Sequence, residues 1–589
     1  MLPTAPFVLL DDARPDGAPA RLYREPVRIV EARAVGEVRP ALDAIRRARA
    51  DGLHAAGYLA YEAGAAFEPV AGTAAGGEPL LWFGLFERWD DLPAELVPAV
   101  LPDPAGAWVG ALRPAIDRDA YARAFGDVAE LIRAGDLYQA NLSFRAHVPV
   151  MGDPLALYMA LRRGAGAGWG AVVATGERTH LSFSPELFFR LEGRRLTCRP
   201  MKGTARREPA PADDRAAAAA LAADPKERAE NLMIVDLMRN DLSRVAVPGS
   251  VSVPELFAVE SYPTIHQMVS AVAADLDEGR DALDVLAAAF PCGSITGAPK
   301  VRAMQALAAI EPGPPRGIYT GSIGCWDADG DAQFNVAIRT LSIGDGEAVI
   351  GLGGGVVADS TLDEEWDECL AKAAFLDAGR RRFDLIETMR FDPDEGIALL
   401  ERHLGRMKAS ADAFGFRFDR HAARNELQAA TFRLRGPARV RMMLAAGGAV
   451  AIEVGPLPPA PPGPVEVAVV PLPVGPGDFR LRHKTSDRGF YDRARRDAGT
   501  FEVVFEDGEG RLTEGSFMSI FIPRHDRLIT PPLPRGLLPG VLREALLAEG
   551  RAEEGDLARV DLRDGFFLGN ALRGLLPARL AVARGAGPV

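Results

Sequence analysis

The chain has 589 residues, of which 48% are hydrophobic and 25% are charged, and its mean hydropathy is close to zero. This composition is that of a globular protein and excludes a wholly disordered, collagen-like or membrane-embedded chain. At roughly 100–200 residues per domain, the length predicts about three or four compact units. The net charge of −13 argues against a general affinity for nucleic acid, which needs clustered Lys and Arg.

Lysine is rare in this chain, so each lysine can be examined for a function. Of the 68 Lys and Arg residues, six are Lys and the other 62 are Arg. The lysines are Lys202, Lys226, Lys300, Lys372, Lys408 and Lys484. Because a guanidinium does not lose its proton in proteins, Arg cannot replace Lys where a neutral amine is required.

The sequence shows no targeting signal and no membrane-spanning segment. Its N-terminal residues include neither a basic region nor a cleavage-like site, and no run reaches about 18 apolar residues. The four cysteines are too widely spaced for a CxxC zinc site or a disulfide framework, and they are Cys198, Cys292, Cys325 and Cys369. We therefore expect a cytoplasmic protein with neither a membrane nor a nucleic-acid partner.

Three segments have apolar residues that recur every three or four positions, the pattern of amphipathic helices. They cover residues 119–134, 214–239 and 362–382. A Pro-rich stretch at 456–464 lies between two alternating apolar segments, which predicts a linker between two subdomains. The last helical pattern runs almost directly into a strand-like segment, so we place a domain junction near residue 380.

Two of the predicted helices each carry a pair of glutamates three residues apart. The pairs are Glu227 with Glu230 and Glu365 with Glu368. Residues at this spacing share one face of a helix. Four carboxylates that converge from two helices suit Mg²⁺, which takes oxygen ligands and keeps positions for water and a substrate anion. The alternative is that these glutamates form solvated helix faces with Arg partners.

Glycine-rich turns are frequent in the first half of the chain. The segments are SFSPELFF (182–189), CRPMKGTARR (198–207), AAFPCGSITGAPKVRAM (288–304), RGIYTGSIGCW (316–326), NVAIRTL (335–341) and GLGGGVVADS (351–360). Such turns let backbone N–H groups approach an anion, and Lys300 and Arg339 can supply the counter-charge. For any single segment, the alternative is a tight β-turn in a large sheet domain.

Together and in this order, these segments and IRAGDLYQANLSFR (132–145) resemble the chorismate-utilising enzymes, a family that includes anthranilate, isochorismate and aminodeoxychorismate synthases. The resemblance covers about residues 50–378. It implies an α+β domain of packed sheets and helices and a Mg²⁺ that grips the ring carboxylate of chorismate. The implied metal ligands are Glu227, Glu230, Glu365 and Glu368.

Within this family, Lys202 of the segment PMKGT is typical of aminodeoxychorismate synthases, because anthranilate synthases usually have Ala there and isochorismate synthases also lack the lysine. The resemblance implies that Lys202 attacks C2 of chorismate and expels the C4 hydroxyl, after which ammonia enters at C4. A protonated amine is not a nucleophile, so the pKa of Lys202 must be lowered. Glu186 stands at the position of the general acid, whose pKa should be raised. The alternative is a structural ion pair.

The resemblance also implies the substrate contacts. Tyr319 and Arg339 would hold the carboxylates of chorismate. The other implied substrate-binding residues are Thr296, Gly297, Ala298, Gly353, Gly354 and Lys372. One departure is HQMVS, where Gln267 replaces the histidine of the HLVS segment of anthranilate synthases and His266 precedes it. No segment resembles the cysteine turn of a glutamine amidotransferase, so we expect ammonia from a separate amidotransferase subunit.

A second ordered set of segments covers about residues 383–580. The segments are FDLIETMR (383–390), LLERHLGRMKASA (399–411), LRHKTSDRGFYDRAR (481–495), VVFEDGEGRLTEGSFMSIF (503–521), TPPLPRGLLPGVLR (530–543) and FFLGNALRGLLPARL (566–580). This set resembles the fold-type IV pyridoxal phosphate enzymes, which include branched-chain and D-amino-acid aminotransferases and 4-amino-4-deoxychorismate lyase. The resemblance also implies a homodimer.

The implied cofactor-binding residues are Arg406, Lys484, Glu514, Gly540 and Val541. Lys484 would bind pyridoxal 5'-phosphate covalently, and Glu514 would keep the pyridine nitrogen protonated. Arg406 would bind the phosphate, together with a helix N-terminus near Gly540. Ser519 departs from the Asn that many family members have, which bears on specificity rather than on cofactor use.

We therefore predict an α+β chain with a large chorismate-utilising domain followed by a two-subdomain fold-type IV enzyme. The predicted boundaries are 1–110, 111–380, 383–460 and 464–589. The predicted function is amination of chorismate to 4-amino-4-deoxychorismate, followed by elimination of pyruvate to give 4-aminobenzoate for folate synthesis. The alternatives are an anthranilate or isochorismate synthase fused to an aminotransferase, and a binding module that has lost catalysis.

Overall fold

The computed structural model describes residues 6–68, 77–262, 265–344 and 346–581, so the outermost ends of the predicted domains lie outside the described residues. The chain forms two compact units. The first comprises Met1–Pro102, Ala111–Val150 and Leu157–Gly379, and the second comprises Asp103–Gly110, Met151–Ala156 and Arg380–Val589.

Two short early segments belong to the second unit, whereas the sequence analysis placed all residues before 380 in the first half. The reason is apolar packing. Trp108 is buried in the core of the second unit, where its ring lies 4.9 Å from that of Phe414 in an edge-to-face contact. Arg480 also donates a hydrogen bond to the Asp103 carboxylate.

Two largely antiparallel sheets form most of the first unit. In hydrogen-bonded order, the first sheet contains Gly297–Ala298, Gln139–Met151, Glu347–Val356, Thr340–Gly344, Thr179–Ser184, Trp169–Ala174, Phe7–Asp11, Ala20–Arg24 and Asp90–Leu92, with Arg113–Pro114 beside Gln139–Met151. The second contains Met201–Arg206, Ile265–Asp275, Arg195–Arg199, Leu187–Glu192, Ala332–Asn335, Ser322–Trp326, His54–Leu59, Leu81–Phe86 and Arg28–Ala32, with Ser252–Ser261 beside Ile265–Asp275.

The two sheets pack face to face through apolar side chains that alternate along their strands. Val8 and Tyr23 of the first sheet share one buried cluster with Tyr58 and Trp82 of the second. Helices cover the other face of the second sheet, where a larger cluster includes residues of Val35–Ala50, Pro225–Ser243 and Ala282–Ala289.

Among the three predicted helices, the structure confirms the one at 119–134 and shows that those at 214–239 and 362–382 are each interrupted. The helices of the first 379 residues are Val35–Ala50, Val97–Val100, Arg118–Arg133, Pro154–Ala165, Pro211–Ala223, Pro225–Ser243, Ala282–Ala289, Lys300–Ile310 and Leu362–Ala371. The pattern at 214–239 is interrupted at Asp224, whose carboxylate caps the second helix, because Pro225 has no N–H to continue the first. The pattern at 362–382 ends at Ala371 and is followed by the 3₁₀ helix Ala374–Gly379.

The second unit contains two sheets joined by residues 457–464. The four-stranded sheet has the order Gly396–Ile397, Leu385–Asp392, Ala438–Leu444 and Val450–Pro456. The eight-stranded sheet has the order Leu512–Gly515, Glu502–Glu506, Val465–Pro471, Gly574–Leu580, Phe566–Asn570, Ser519–Arg524, Arg527–Thr530 and Ala552–Glu554. The helices are Leu400–Phe414, Arg420–Thr431, Gly489–Ala498 and Val541–Ala548. The α+β prediction is confirmed. In the described ranges, no helix has the length and apolar character to cross a membrane.

One buried ion pair joins two helices of the first unit, and we expect it to contribute to stability. Lys300 Nζ lies 2.8 Å from the Asp241 carboxylate and donates a second bond, of 3.0 Å, to the Ala289 carbonyl. The substitution Lys300→Met would leave that carboxylate buried without a cation, which costs about 3–5 kcal/mol. We expect a clearly lower midpoint in denaturant or thermal unfolding.

Two controls accompany this measurement. Adding Asp241→Asn to Lys300→Met should recover part of the loss, because the buried charge is then removed. Lys408→Met breaks an exposed pair with Asp412 and should cost less than about 1 kcal/mol. Equal effects of Lys300→Met and Lys408→Met would contradict the stabilising role of the buried pair.

Candidate active sites

A cavity of about 470 Å³ in the first unit collects most of the residues predicted for chorismate chemistry. Its volume is in the range of sites for small metabolites. The predicted residues that line it are Glu186, Lys202, Glu227, Glu230, Tyr319, Arg339, Gly353, Glu365, Glu368 and Lys372. Residues far apart in the sequence, on both sheets and on two helices, therefore meet at one site.

Lys202 lies in the edge strand Met201–Arg206 and directs an amine into this cavity. Among the described residues the amine has neither a hydrogen-bond partner nor an ion-pair partner. Burial lowers the pKa of Lys202, and the positive charge of Lys372 lowers it further, against the attraction of Glu230 and Glu186. The environment therefore increases the fraction of neutral, nucleophilic amine.

Glu186 is buried between the strands Thr179–Ser184 and Leu187–Glu192. Burial raises the pKa of Glu186 to about 7, although the hydroxyl of Ser294, which donates a 2.7 Å hydrogen bond to its carboxylate, partly opposes the shift. A carboxyl group with this pKa is partly protonated at neutral pH. Glu186 can therefore donate a proton to a leaving group in the cavity.

The four predicted metal ligands line the same cavity, but they do not form a closed cluster. In the described part of the chain, no three His, Cys, Asp or Glu side chains lie close enough together to hold a metal ion. Glu365 accepts a 2.6 Å hydrogen bond from Ser360, and Glu368 forms a 2.8 Å ion pair with Lys372.

The chemistry of these donors nevertheless fits Mg²⁺. Burial raises the pKa values of Glu227, Glu230 and Glu365, and repulsion from neighbouring carboxylates adds to each shift. A divalent cation would relieve that repulsion. Mg²⁺ commonly binds through one or two carboxylates and completes its shell with water and substrate oxygens, so an open set of four carboxylates is compatible with it.

Arg339 lines this cavity, and its guanidinium has no ion-pair partner among the described residues. Its backbone has a φ of +50°, an uncommon conformation for a residue with a side chain, and burial lowers its pKa. Tyr319 is buried nearby with a raised pKa that also results from burial, so its hydroxyl stays protonated. These two side chains offer a guanidinium and a hydroxyl donor to a substrate carboxylate.

The glycine run at 351–355 lets the site residues approach a strand closely. A Cβ atom at Gly355 would lie 2.3 Å from Nε2 of Gln139 and 2.9 Å from Nζ of Lys202. At Gly354 it would lie 2.4 Å from a carboxylate oxygen of Glu365. Side chains at these positions would therefore displace a proposed nucleophile and a proposed metal ligand.

Four predicted substrate-binding residues do not line the cavity, and they are Thr296, Gly297, Ala298 and Gly354. The Thr296 hydroxyl donates to carbonyls of its own turn. Gly297 and Ala298 pair with the strand Gln139–Met151. Their direct contact with substrate stays a prediction. Lys300 was expected to supply counter-charge, but this expectation is wrong because Asp241 holds its amine.

The structure distinguishes His266 from Gln267. His266 is buried, and its ring nitrogens lie 2.8 Å from the Ser261 hydroxyl and 2.9 Å from the Asp214 carboxylate. Gln267 lines the cavity and donates a 2.7 Å hydrogen bond to the carbonyl of Gly203, the residue after Lys202. Alternation along the strand therefore places Gln267, not His266, at the site.

Lys484 of the second unit follows the 3₁₀ helix Phe479–Leu481 and precedes the helix Gly489–Ala498. Burial lowers the pKa of Lys484 to about 7, and the nearby cations Arg406 and Arg488 add to the shift while Glu387 opposes it. A lysine with this pKa is largely neutral at slightly alkaline pH. It has the property required of an amine that bonds a carbonyl cofactor.

Glu514 is buried in the strand Leu512–Gly515. It accepts hydrogen bonds of 2.5 Å from the Tyr491 hydroxyl and 3.1 Å from the backbone N–H of Leu538. Burial raises the pKa of Glu514 to about 7, and these hydrogen bonds oppose the shift. A buried carboxyl group with this pKa is suited to pair with a pyridine nitrogen.

The predicted phosphate-binding residues meet at one helix N-terminus. Gly540 caps the helix Val541–Ala548, and Arg406 donates a 2.9 Å hydrogen bond to the carbonyl of the preceding Pro539. The other side of Gly540 faces Ser519, because a Cβ there would lie 2.6 Å from its hydroxyl oxygen. Backbone N–H groups, a guanidinium and a hydroxyl therefore surround this position, a set that fits a phosphate.

Several residues that support these sites received no role from the sequence alone. Ser294 and Gln267 act in the first unit, while Tyr491 and Glu387 act in the second. All four lie inside or beside motifs that the sequence analysis quoted. Glu387 accepts two hydrogen bonds from Arg406, of 2.8 and 2.7 Å, and so orients its guanidinium. Such pairings depend on tertiary contacts, so only their presence in a motif could have indicated them.

Comparison with known proteins identifies the class of each half. Residues 16–378 match the chorismate binding enzyme family, and residues 384–581 match the amino-transferase class IV family. The chain belongs to the chorismate binding enzymes, and it carries a class IV aminotransferase domain after them. Both resemblances inferred from the sequence motifs are therefore confirmed.

Individual relatives refine this assignment. The aminodeoxychorismate synthase component 1 of Escherichia coli (strain K12) is 45% identical over 255 residues, which cover 43% of this chain and 56% of that protein. The anthranilate synthase component 1 of Streptomyces coelicolor is 44% identical over 254 residues, covering 43% of this chain and 50% of that protein. The chain thus spans little more than half the length of the curated relatives it matches. The crystal structure of anthranilate synthase component I from Streptococcus pneumoniae TIGR4 has the same fold, with a TM-score of 0.54 and 24% identity over 64% of this chain and 93% of that one.

The close approach at Gly355 leads to a prediction about binding. In Gly355→Ala, the added methyl group would displace the ends of the Gln139 and Lys202 side chains, and so move the Lys202 amine from its position in the cavity. We expect the affinity for chorismate, measured by calorimetry with Mg²⁺, to fall by about tenfold or more. Gly126→Ala is the matched control, because nothing lies within 4 Å of the added atom in its helix. Unchanged chorismate binding by Gly355→Ala would contradict the proposed geometry.

Proposed function

We propose that this chain makes 4-aminobenzoate from chorismate in two steps. The first unit aminates chorismate to 4-amino-4-deoxychorismate, and the second eliminates pyruvate from that product. The observation that carries the proposal is the unpaired amine of Lys202, which shares one cavity with the buried acid Glu186. The similarity to the aminodeoxychorismate synthase component 1 of Escherichia coli supports it.

In the first step, the neutral amine of Lys202 attacks C2 of chorismate while Glu186 protonates the hydroxyl that leaves C4 as water. Ammonia then forms a bond to C4, and the bond between C2 and Lys202 breaks. The balance is chorismate plus ammonia giving aminodeoxychorismate plus water. The burial that lowers the pKa of Lys202 and raises that of Glu186 prepares both groups for these proton states.

Substrate orientation in the first site would come from cationic and hydroxyl donors. Arg339 and Tyr319 hold carboxylates of the substrate, and Lys372, which donates a 2.7 Å hydrogen bond to the Gly353 carbonyl, positions the glycine strand. Mg²⁺ bound by the four glutamates would neutralise their charge and that of a substrate carboxylate. Without that neutralisation, a dianionic substrate would meet four carboxylates in the same cavity.

In the second step, pyridoxal 5'-phosphate bound at Lys484 would supply the electron sink that weakens bonds next to the substrate nitrogen. The chain's own residues control protons around it. Glu514 holds a proton at the pyridine nitrogen, and its buried hydrogen bonds keep it oriented. Lys484 takes the ring proton and returns a proton to the departing enolpyruvyl carbon. Arg406, Gly540 and Val541 would hold the phosphate of the cofactor.

The fusion favours a lyase over an aminotransferase in the second unit. The catalytic groups of the two reactions are the same, so the second site alone does not distinguish them. A synthase in the same chain, however, produces the substrate of the lyase. Loss of pyruvate makes the ring aromatic, and this aromatisation supplies the driving force.

This proposal also implies partners and a compartment. Several of the relatives are named aminodeoxychorismate synthase component 1, which fits ammonia supplied by a separate glutamine amidotransferase. A homodimer through the second unit is expected from the fold-type IV resemblance. Cys198, Cys292, Cys325 and Cys369 are all free thiols, which fits the reducing cytoplasm.

A product assay tests the two steps separately. We expect the protein with chorismate, Mg²⁺, ammonium and pyridoxal phosphate to form 4-aminobenzoate and pyruvate, identified by mass spectrometry. Lys202→Ala should lose amination but still convert supplied aminodeoxychorismate. Lys484→Ala should accumulate aminodeoxychorismate and lack the absorbance of the bound cofactor. Formation of anthranilate, or release of aminodeoxychorismate that the parent never converts, would refute the proposal.

The pH dependence of amination should report on Glu186. Because Glu186 must be protonated to act, activity should fall as the pH rises above about 7, the pKa of its buried carboxyl group. Ser294→Ala removes a hydrogen bond that lowers this pKa, so the decline should move to higher pH. Initial rates of aminodeoxychorismate formation between pH 5 and 9 measure this decline in the parent and in Ser294→Ala. A decline that stays in place or moves to lower pH would exclude Glu186 as the acid.

A further inference from the structure

The Lys484 segment extends one sheet of the second unit. Thr485 bridges Leu385 in antiparallel fashion, and the N–H of Ile386 donates a 2.9 Å hydrogen bond to the Lys484 carbonyl. Lys484 therefore lies opposite Ile386. Because residues opposite each other in an antiparallel pair point to the same face, the Lys484 side chain shares the face of Ile386.

The register of the next strand places an arginine on that same face. Ile386 is opposite Met443, and Thr388, two residues further along, is opposite Arg441. Arg441 is therefore two strands and two residues from Lys484, a separation of about 10 Å across the sheet and about 7 Å along it. Two long side chains that extend from these positions can flank a six-membered ring that carries groups at opposite ends.

Arg441 carries a charge that the described protein does not neutralise. Its Nε atom is buried and has no hydrogen-bond partner. The acidic residue directly opposite on the following strand is Glu453, and its carboxylate is held 2.7 Å from Arg439. A half-buried guanidinium with unsatisfied donors is costly unless an anion completes it.

The other cations near Lys484 already have partners. Arg406 is held by Glu387 and by the Pro539 carbonyl at the proposed phosphate site. Arg488 donates to the Ser516 carbonyl through Nη2 and lies over the ring of Tyr491, although its Nη1 atom is buried without a hydrogen-bond partner. Among these three cations, Arg441 is the one whose side chain has neither a hydrogen bond nor an ion pair with the described residues.

We propose that Arg441 binds the ring carboxylate of aminodeoxychorismate, and of the product 4-aminobenzoate, and so selects a ring acid in the second site. This inference rests on the proposed function. The substrate nitrogen is bound next to Lys484, and the ring carboxylate stands para to it. A guanidinium at that distance can bind the carboxylate through two parallel hydrogen bonds. An amino acid with an aliphatic side chain would leave Arg441 without its anion, which disfavours that substrate.

Binding of two product analogues tests this proposal. The probes are 4-aminobenzoate and its uncharged amide, 4-aminobenzamide, added to the pyridoxal phosphate-loaded protein. The absorption spectrum of the cofactor follows binding, because it reports on the second site and not on the first. In Arg441→Met we expect the dissociation constant of 4-aminobenzoate to rise about 10- to 100-fold, while that of the amide changes less than about threefold.

Two further variants make the test specific. Arg441→Lys keeps the positive charge but not the bidentate fork, so it should give an intermediate loss. Arg439→Met removes a same-face arginine of the same strand that is already paired with Glu453, and it should bind 4-aminobenzoate like the parent. The melting temperature and the cofactor spectrum without ligand should be unchanged in Arg441→Lys, which shows that the fold is intact.

Several outcomes would overturn the proposal. They are parent-like binding of 4-aminobenzoate by Arg441→Met, an equal loss for the amide, and an equal loss in Arg439→Met. Weaker retention of pyridoxal phosphate in Arg441→Met would instead make Arg441 a cofactor ligand. If the parent itself does not bind 4-aminobenzoate, both this inference and the proposed second activity fail. Normal parental binding with no effect of Arg441→Met would refute the inference alone.

Discussion

Both candidate sites depend on one physical constraint, the burial of a lysine amine that no described carboxylate holds in an ion pair. Burial lowers the pKa values of Lys202 and Lys484, because a charged amine loses its hydration and the nearby cations oppose it further. Lys300 is also buried but is held by Asp241, and Lys372 is held by Glu368. The local partner therefore decides whether a buried lysine is a structural cation or a reactive amine.

Each candidate site also contains a buried carboxyl group whose pKa is raised. Glu186 and Glu514 both have pKa values raised by burial to about 7, and in both a neutral hydroxyl, of Ser294 or Tyr491, donates to the carboxylate. Hydroxyl donors orient the group without adding a charge that would fully ionise it. Two unrelated folds thus use one arrangement to keep an acid near its midpoint at neutral pH.

The sheets of each unit supply the rigidity that these arrangements need. Lys202 and Gln267 stand on adjacent strands, and the glycine run at 351–355 lets Lys202 and Glu365 lie close to a third strand. In the second unit, strand register alone relates Lys484 to Arg441. Positions set by a backbone hydrogen-bond ladder hold a reactive group more closely than a loop does.

Much of the fold and site could be read from the order of motifs. The motifs around Lys202, Glu186, Lys484 and Glu514 predicted two enzyme domains, and the family comparisons confirm them. Helix boundaries were predicted less accurately where a proline and a capping residue interrupt a helical pattern. The helical pattern at 214–239 is divided because Pro225 ends one helix and Asp224 caps the next.

The sequence by itself determined which chemical groups are available, since six lysines among 62 arginines single out the positions where an amine matters. Only the tertiary structure decided which of these groups are paired. Ser294 reaches Glu186 across 108 residues of sequence, Asp241 takes Lys300 out of the expected anion site, and Gln267 rather than His266 faces the cavity. The reason is that contacts between distant segments set pairing and burial, and local sequence patterns contain no information about those contacts.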